Sequence, residues 1–256
     1  MATNYNETFA VQKKPILVIR PLRQGDIFLQ RLQDASLPFC HIPVMQIEPV
    51  DMTEPEYAQA IEVISQLDRW DHAIFISANA AEIGLALIAK HWPVLPAGLQ
   101  FYAVGQQTAE LFADYGYPVR CPKQQPNTEG LLSEIPPLQH LNGQSVVIFC
   151  GGEGRQTLGA ELTARGGSVR YCELYRRIID PSKVAQARAG MQTASCLVAH
   201  SGELLRALGD CVDRQIPVVV PSARIAQQAQ QLGYSNIEVA ENALPQSMFN
   251  AIKSLI

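Results

Sequence analysis

The feature that most constrains this chain is a pattern read twice. The run Ile16-Leu-Val-Ile-Arg20, a helical stretch to Leu32 and an extended stretch at 39–45 return as Val146-Val-Ile-Phe-Cys150, a helical stretch to Leu162 and an extended stretch at 169–175. Ile16 answers to Val146, Leu32 to Leu162 and Met45 to Tyr175, so the spacing is kept. A second pair alternates with the first. Ala73-Ile-Phe-Ile-Ser77 matches Cys196-Leu-Val-Ala-His-Ser201, and 105–135, through Tyr115-Gly-Tyr117, matches 222–252, through Leu232-Gly-Tyr234. Several runs in constant register predict duplicated α/β lobes, with a cleft between them as the place to look for function.

The 256 residues, 47% hydrophobic and 17% charged, suffice for two units of roughly 100–130 residues, each with its own core. Only about the first 14 residues read as a loose, polar start. No apolar run of signal-peptide or membrane-span length is visible, so a cytoplasmic protein is the expectation. A net charge of −4 without a basic stripe argues against nucleic acid as the main partner. The six cysteines lack CxxC spacing and the five histidines lack metal-ligand spacing, so neither disulfides nor a metal site is expected.

Apolar runs near 16–20, 73–77, 100–104, 146–150, 195–200 and 216–220 alternate with helical patterns, which predicts parallel sheets with helices on both faces. Each helix starts on small or polar residues after a strand, and that carboxyl edge is where open α/β sheets bind ligands. Two segments, 39–48 and 169–179, are longer than an average strand. Two arrangements fit them. Either the lobes follow one another, or these segments cross between them and leave a discontinuous lobe, 1–42 with 176–256, and a continuous one, 43–175. The linker strands would then lie near 41–48 and 170–178.

Gly151-Gly-Glu-Gly-Arg155 lacks both GxGxxG spacing and a phosphate-loop lysine, which argues against a nucleotide. It reads either as a turn whose amides hold a carboxylate beside Arg155, or as a Gly-rich turn with no ligand. Ser77, Thr108, Ser201 and Ser222 are each placed to cap or open a helix. Together they also set four hydroxyls on the carboxyl edges, where they could hold carboxylates. Arg20, the Arg176-Arg177 pair and Arg224 fall at strand ends or in the crossover. Tyr175 either projects into the cleft or packs beneath it.

The strings Ile16-Leu-Val-Ile-Arg-Pro21, Phe75-Ile-Ser-Ala-Asn79, Ala103-Val-Gly-Gln-Gln-Thr-Ala109, Asn127-Thr-Glu-Gly-Leu-Leu132, the stretch from Gly151 through Arg155, Leu158 and Arg165-Gly166 to Tyr175-Arg-Arg177, and Ser222-Ala-Arg-Ile-Ala226 resemble uroporphyrinogen-III synthase in order, from Ile16 to the C-terminus. The resemblance implies two similar α/β lobes with parallel sheets flanked by helices, joined by a two-stranded crossover ladder. It implies an enzyme that takes hydroxymethylbilane, a linear tetrapyrrole, removes water, inverts ring D through a spiro intermediate and closes the macrocycle to uroporphyrinogen III without a cofactor. Tyr175 matches the family's cleft tyrosine and would be catalytic. Arg20, Ser77, Thr108, Gly151, Gly152, Arg155, Ser201, Ser222 and Arg224 would bind substrate. A monomer is expected, with the enzyme that supplies the bilane as a candidate partner. The competing expectation is a non-enzymatic two-lobed sensor for a polyanionic small molecule.

Overall fold

Strands whose every residue is buried, such as Ile16–Val18, Cys196–Val198 and Val218–Val220, need cover on both faces, and helices supply it. The structure, a computed structural model, describes residues 13–22, 26–152, 156–210 and 214–255. Of the loose start expected over about the first 14 residues, 1–12 lie outside the described residues. In chain order come β1 (Ile16–Val18), α1 (Ile27–Asp34), β2 (Phe39–His41), β3 (Met45–Pro49), α2 (Pro55–Ser65), β4 (His72–Phe75), α3 (Ala78–His91), β5 (Gln100–Ala103), α4 (Gln106–Glu110), β6 (Val119–Arg120) and α5 (Thr128–Glu134). The second half runs β7 (Ser145–Gly151), α6 (Gln156–Ala164), β8 (Ser168–Ile179), α7 (Pro181–Met191), β9 (Cys196–Val198), α8 (Gly202–Ala207), β10 (Val218–Val220), α9 (Ala223–Gln231), β11 (Ile237–Val239) and α10 (Pro245–Lys253).

The chain divides into two compact units, Met1–Gln46 with Ile178–Ile256 and Ile47–Arg177. In the first, five strands lie in the order β2-β1-β9-β10-β11, all parallel. Ile16, Val18, Phe28, Leu32, Val198 and Met248 build a core on one face. In the second unit β8-β7-β4-β5-β6 repeat that order in parallel, with β3 added beside β8. Phe75 anchors this core, stacked on Phe149 at 4.4 Å and edge-on to Phe112 at 5.2 Å. The opposite face packs Leu131, Leu158 and Leu162 on Ile74 and Ile148.

The segment 39–48, read from sequence as one long strand, is two. β2 joins the five-stranded sheet and β3 the six-stranded one, with Pro43 between them. Proline has no N–H to give a ladder, so the run breaks there. The partner segment stays whole as the 12-residue β8. Val50 N donates to Leu174 O at 3.0 Å and Asp180 N to Val44 O at 3.0 Å. Rising numbers on one strand meet falling numbers on the other, so this pairing is antiparallel.

At the amino ends of β4, β5 and β7 a polar group is buried. His72, 1% exposed, sets Nδ1 3.0 Å from the Tyr102 hydroxyl and Nε2 3.2 Å from Gln144 Oε1. Gln100 Oε1 accepts from the Tyr102 hydroxyl at 3.0 Å and from Arg120 Nη1 at 2.8 Å. Burial holds the His72 imidazolium below its ordinary range and pushes the Tyr102 phenol up to about 12.

A folded-state pKa below the unfolded value near 6.5 means that the unfolded chain binds the proton more readily. The stability His72 contributes is therefore full above about pH 6.5 and is lost as pH falls toward the folded value. Thermal denaturation between about pH 7.5 and about pH 5.5 should show a fall in Tm that His72→Gln flattens. Equal slopes in both proteins would contradict this.

Candidate functional site

In unit two the chain runs outward from β4 through β5 to β6, and in the other direction from β7 to β8. The helices after β4 and β7 consequently leave on opposite faces, with α3 packing in the Phe75 core and α6 in the Leu158 core. The strand ends between them, at Ser77 and at Gly151-Gly152, form the topological switch crevice. Ser77 caps α3, its Oγ accepting from Ala80 N at 3.0 Å.

The third strand brings in Tyr175 through an irregularity. Cys150 pairs with Glu173 but Gly151 pairs with Tyr175, so Leu174 is an extra residue on β8. Along β8, Cys172 is buried, Glu173 exposed and Leu174 buried, and strict alternation would expose Tyr175. The bulge turns it inward instead, to 2% exposure. Its ring lies across the backbone of Gly151, where a Cβ would come 2.4 Å from Cε2 and 2.5 Å from Cζ. Gly152 N donates to the Tyr175 carbonyl at 2.8 Å, and the Tyr175 hydroxyl sits 2.9 Å from Ser77 Oγ. The Arg177 guanidinium lies 6.0 Å from the ring centroid. Burial pushes the Cys150 thiol, in the same strand end, up to about 12, so it is a neutral packing group.

In unit one the equivalent switch lies between β1 and β9. Asp26 caps α1, Oδ1 accepting from Phe28 N at 3.0 Å and Leu29 N at 3.3 Å. Its Oδ2 lies 3.4 Å from Arg20 Nε, with the two side chains 5% and 13% exposed. Arg20 Nη1 is 3.2 Å from His200 Nε2. A guanidinium only donates, so this ring nitrogen accepts and the histidine proton sits on Nδ1. His41 Nε2 donates to the Arg20 carbonyl at 2.8 Å, and the His200 ring packs edge-on to Phe28 at 5.5 Å.

The structure therefore brings Ser77, Gly151, Gly152 and Tyr175 together, and sets Arg20 against the strand end that leads to Ser201. Ser201 and Ser222 each cap a helix, accepting from Leu204 N at 3.3 Å and Ile225 N at 3.4 Å. Arg224 is exposed in the first turn of α9, where a cation opposes the helix dipole. Thr108 lies one strand away from Ser77, in α4 after β5, and is 4% exposed. Arg155 lies outside the described residues. Arg176 is tied to Glu54 at 2.6 Å and Glu56 at 3.1 Å. Sequence reasoning missed Asp26, His41 and His200. The one available signal was Asp26 as a helix N-cap before an apolar stretch.

Among the described residues no three His, Cys, Asp or Glu side chains are grouped to hold a metal ion, and no helix is long and apolar enough to cross a membrane. The family model described as Uroporphyrinogen-III synthase HemD matches residues 27–250. Uroporphyrinogen-III synthase from Escherichia coli K12 is 29% identical over 252 residues, which cover 93% of this chain and 99% of the relative. The Salmonella typhimurium enzyme of the same name is 28% identical with the same coverage. Among solved structures, a mutant uroporphyrinogen III synthase from Thermus thermophilus aligns with a TM-score of 0.67 at 16% identity, covering 94% of this chain and 98% of that one. The uroporphyrinogen-III synthetase of Helicobacter pylori aligns with a TM-score of 0.62 at 14% identity over 95% and 100% of the two chains.

Two adjacent glycines give a paired test of the tyrosine's seat. Gly151→Ala places its methyl inside the Tyr175 ring, whereas a Cβ at Gly152 meets nothing closer than Glu173 Oε2 at 3.7 Å. Gly151→Ala should alter the near-ultraviolet circular dichroism and cost about 1–3 kcal/mol in urea unfolding. Gly152→Ala should change neither by much. Matching behaviour of the two variants would mean that the ring is not seated on Gly151.

Proposed function

This chain belongs to the uroporphyrinogen-III synthase family, and on that premise we propose how its residues carry out the cyclisation. It is an enzyme of tetrapyrrole biosynthesis that closes hydroxymethylbilane, with loss of water and inversion of ring D, to uroporphyrinogen III. Once the hydroxyl leaves, electron-rich pyrroles close readily to the symmetric isomer. The protein must therefore hold the bilane in a conformation that favours attack at the substituted carbon of ring D, and must steady the azafulvenium cation.

The observation that carries the assignment of roles is the Tyr175 hydroxyl 2.9 Å from Ser77 Oγ at a switch crevice. In our reading Tyr175 is the proton source for departure of the hydroxyl, because a phenol can donate without first gaining charge. In unit two Gly151, Arg155 and Thr108, in the first turn of α4, meet substrate carboxylates. The Gly152 amide already serves the Tyr175 carbonyl, so its part is to hold the tyrosine. In unit one, Ser201, Ser222 and Arg224 meet carboxylates, with Arg224 the strongest single contributor. Arg20, braced by Asp26 and His200, adds fixed positive charge. We read the protein as acting as a monomer in the cytoplasm, on bilane released by the enzyme that makes it.

The test couples the purified protein to a bilane-generating enzyme, oxidises the products and separates the uroporphyrin isomers. Isomer III should predominate. Isomer I alone, from demonstrably folded protein, would promote the sensor reading. Arg224→Ala should raise KM by roughly tenfold, about 1.4 kcal/mol, with kcat nearly kept, as expected for binding shared by ground and transition states. An unchanged KM would remove Arg224 from the carboxylate contacts.

A further inference from the structure

We propose, resting on the reading above, that Ser77 is the group that protonates the departing hydroxyl and that Tyr175 acts from behind it, the two hydroxyls forming a proton relay. Burial is the starting point. Tyr175 is 2% exposed, its ring seated on Gly151 and its carbonyl tied to Gly152, so the phenol is not presented to a ligand. Ser77, half-buried, stands at the end of β4, where a ligand in the crevice arrives first.

Hydrogen-bond accounting fixes the direction. A serine oxygen has two lone pairs and one hydrogen. One lone pair takes the Ala80 N–H at 3.0 Å. If Tyr175 donates to the other, at 2.9 Å, the phenol is satisfied and the serine hydrogen is left to point outward. In the reverse arrangement the phenol hydrogen would be stranded in a closed site, which is costly.

The step balances without a co-reactant. The bond from the methylene carbon to the hydroxyl oxygen breaks with its electron pair on oxygen. Ser77 gives that oxygen its proton and water leaves, while Tyr175 replaces the serine proton and becomes a tyrosinate. The negative charge then lies near the amino end of α3, on a tyrosine whose ring centroid is 6.0 Å from the Arg177 guanidinium, and it offsets the azafulvenium cation. When ring D sheds its ring-carbon proton on rearomatisation, that proton returns through Ser77 to Tyr175. Ser77 is the catalytic residue in this scheme and Tyr175 the positioned reservoir.

A double-mutant cycle with full-length protein tests the relay. Ser77→Ala and Tyr175→Phe should each lower kcat by ~10²-fold with KM little changed, and the double variant should be no worse than the poorer single one. Since Ser77 also caps α3, two further variants separate capping from catalysis. Ser77→Asn keeps a capping oxygen but loses the hydroxyl and should stay slow; Ser77→Thr keeps both and should recover most of kcat. The wild-type solvent deuterium effect should give a curved proton inventory that straightens in Tyr175→Phe. Multiplicative losses in the double variant, full kcat in Ser77→Asn, or a raised KM with intact kcat in Ser77→Ala would each overturn the relay. Production of isomer III by the wild type stands apart from these outcomes and tests only the reading beneath.

Discussion

A single extra residue on one strand decides what unit two can do. Were β8 regular up to its pairing with Gly151, Leu174 would face that glycine and Tyr175 would point to solvent. The bulge makes two neighbours, Leu174 and Tyr175, face inward in succession, and the missing side chain at Gly151 makes room for the second ring. A local fault in alternation costs pairing, and here it is offset by burying a large aromatic side chain and by the bond between Gly152 N and the Tyr175 carbonyl. The Ser77 contact exists because both devices act on the same ring.

The duplicated topology carries different chemistry in its two copies. At the switch of unit two sit neutral hydroxyls on a Gly-Gly turn. At the switch of unit one sits a guanidinium wedged between a capping carboxylate and a histidine. The backbone logic is common to both, since reversal of strand order leaves helix amino ends beside a gap at the strand ends. That logic supplies electropositive amides everywhere along the edge and leaves side chains to differentiate. The first copy's identity depends on Arg20, which would be a liability at the end of an apolar strand without Asp26 beside it.

Much of this was legible in the sequence. Fully apolar runs of strand length followed by a small or hydroxyl residue specify a buried parallel strand and a capped helix, and Ser77, Ser201 and Ser222 each cap as their position implied. The break at Pro43 was missed because the apolar pattern on both sides of it reads through, although a proline, with no N–H to give a ladder, marks the place. The short edge strands β6 and β11 were missed because edge strands of two or three residues leave no periodicity to read. The partners of the candidate residues were hidden for another reason. Ser77 and Tyr175 are 98 positions apart, Arg20 and His200 180 positions apart, and no local pattern marks contacts made only by strand order. Burial of Tyr175 was one of two readings that the sequence left open, and alternation along β8, which predicts the opposite face, could not select it.

Ser77 also shows why a structural role and a chemical one need not compete for a side chain. As an N-cap it satisfies an amide that would otherwise be orphaned, a role usually worth about 1 kcal/mol. That bond holds its oxygen in one place and uses one lone pair, which narrows the choices for the remaining lone pair and hydrogen. A serine on a loop would have to be ordered by its ligand, at a cost in binding. Here the helix has already done the ordering. The same N–H that keeps α3 intact aims the hydroxyl, and the tyrosine behind it can reach a ligand only through an oxygen that the fold has already fixed.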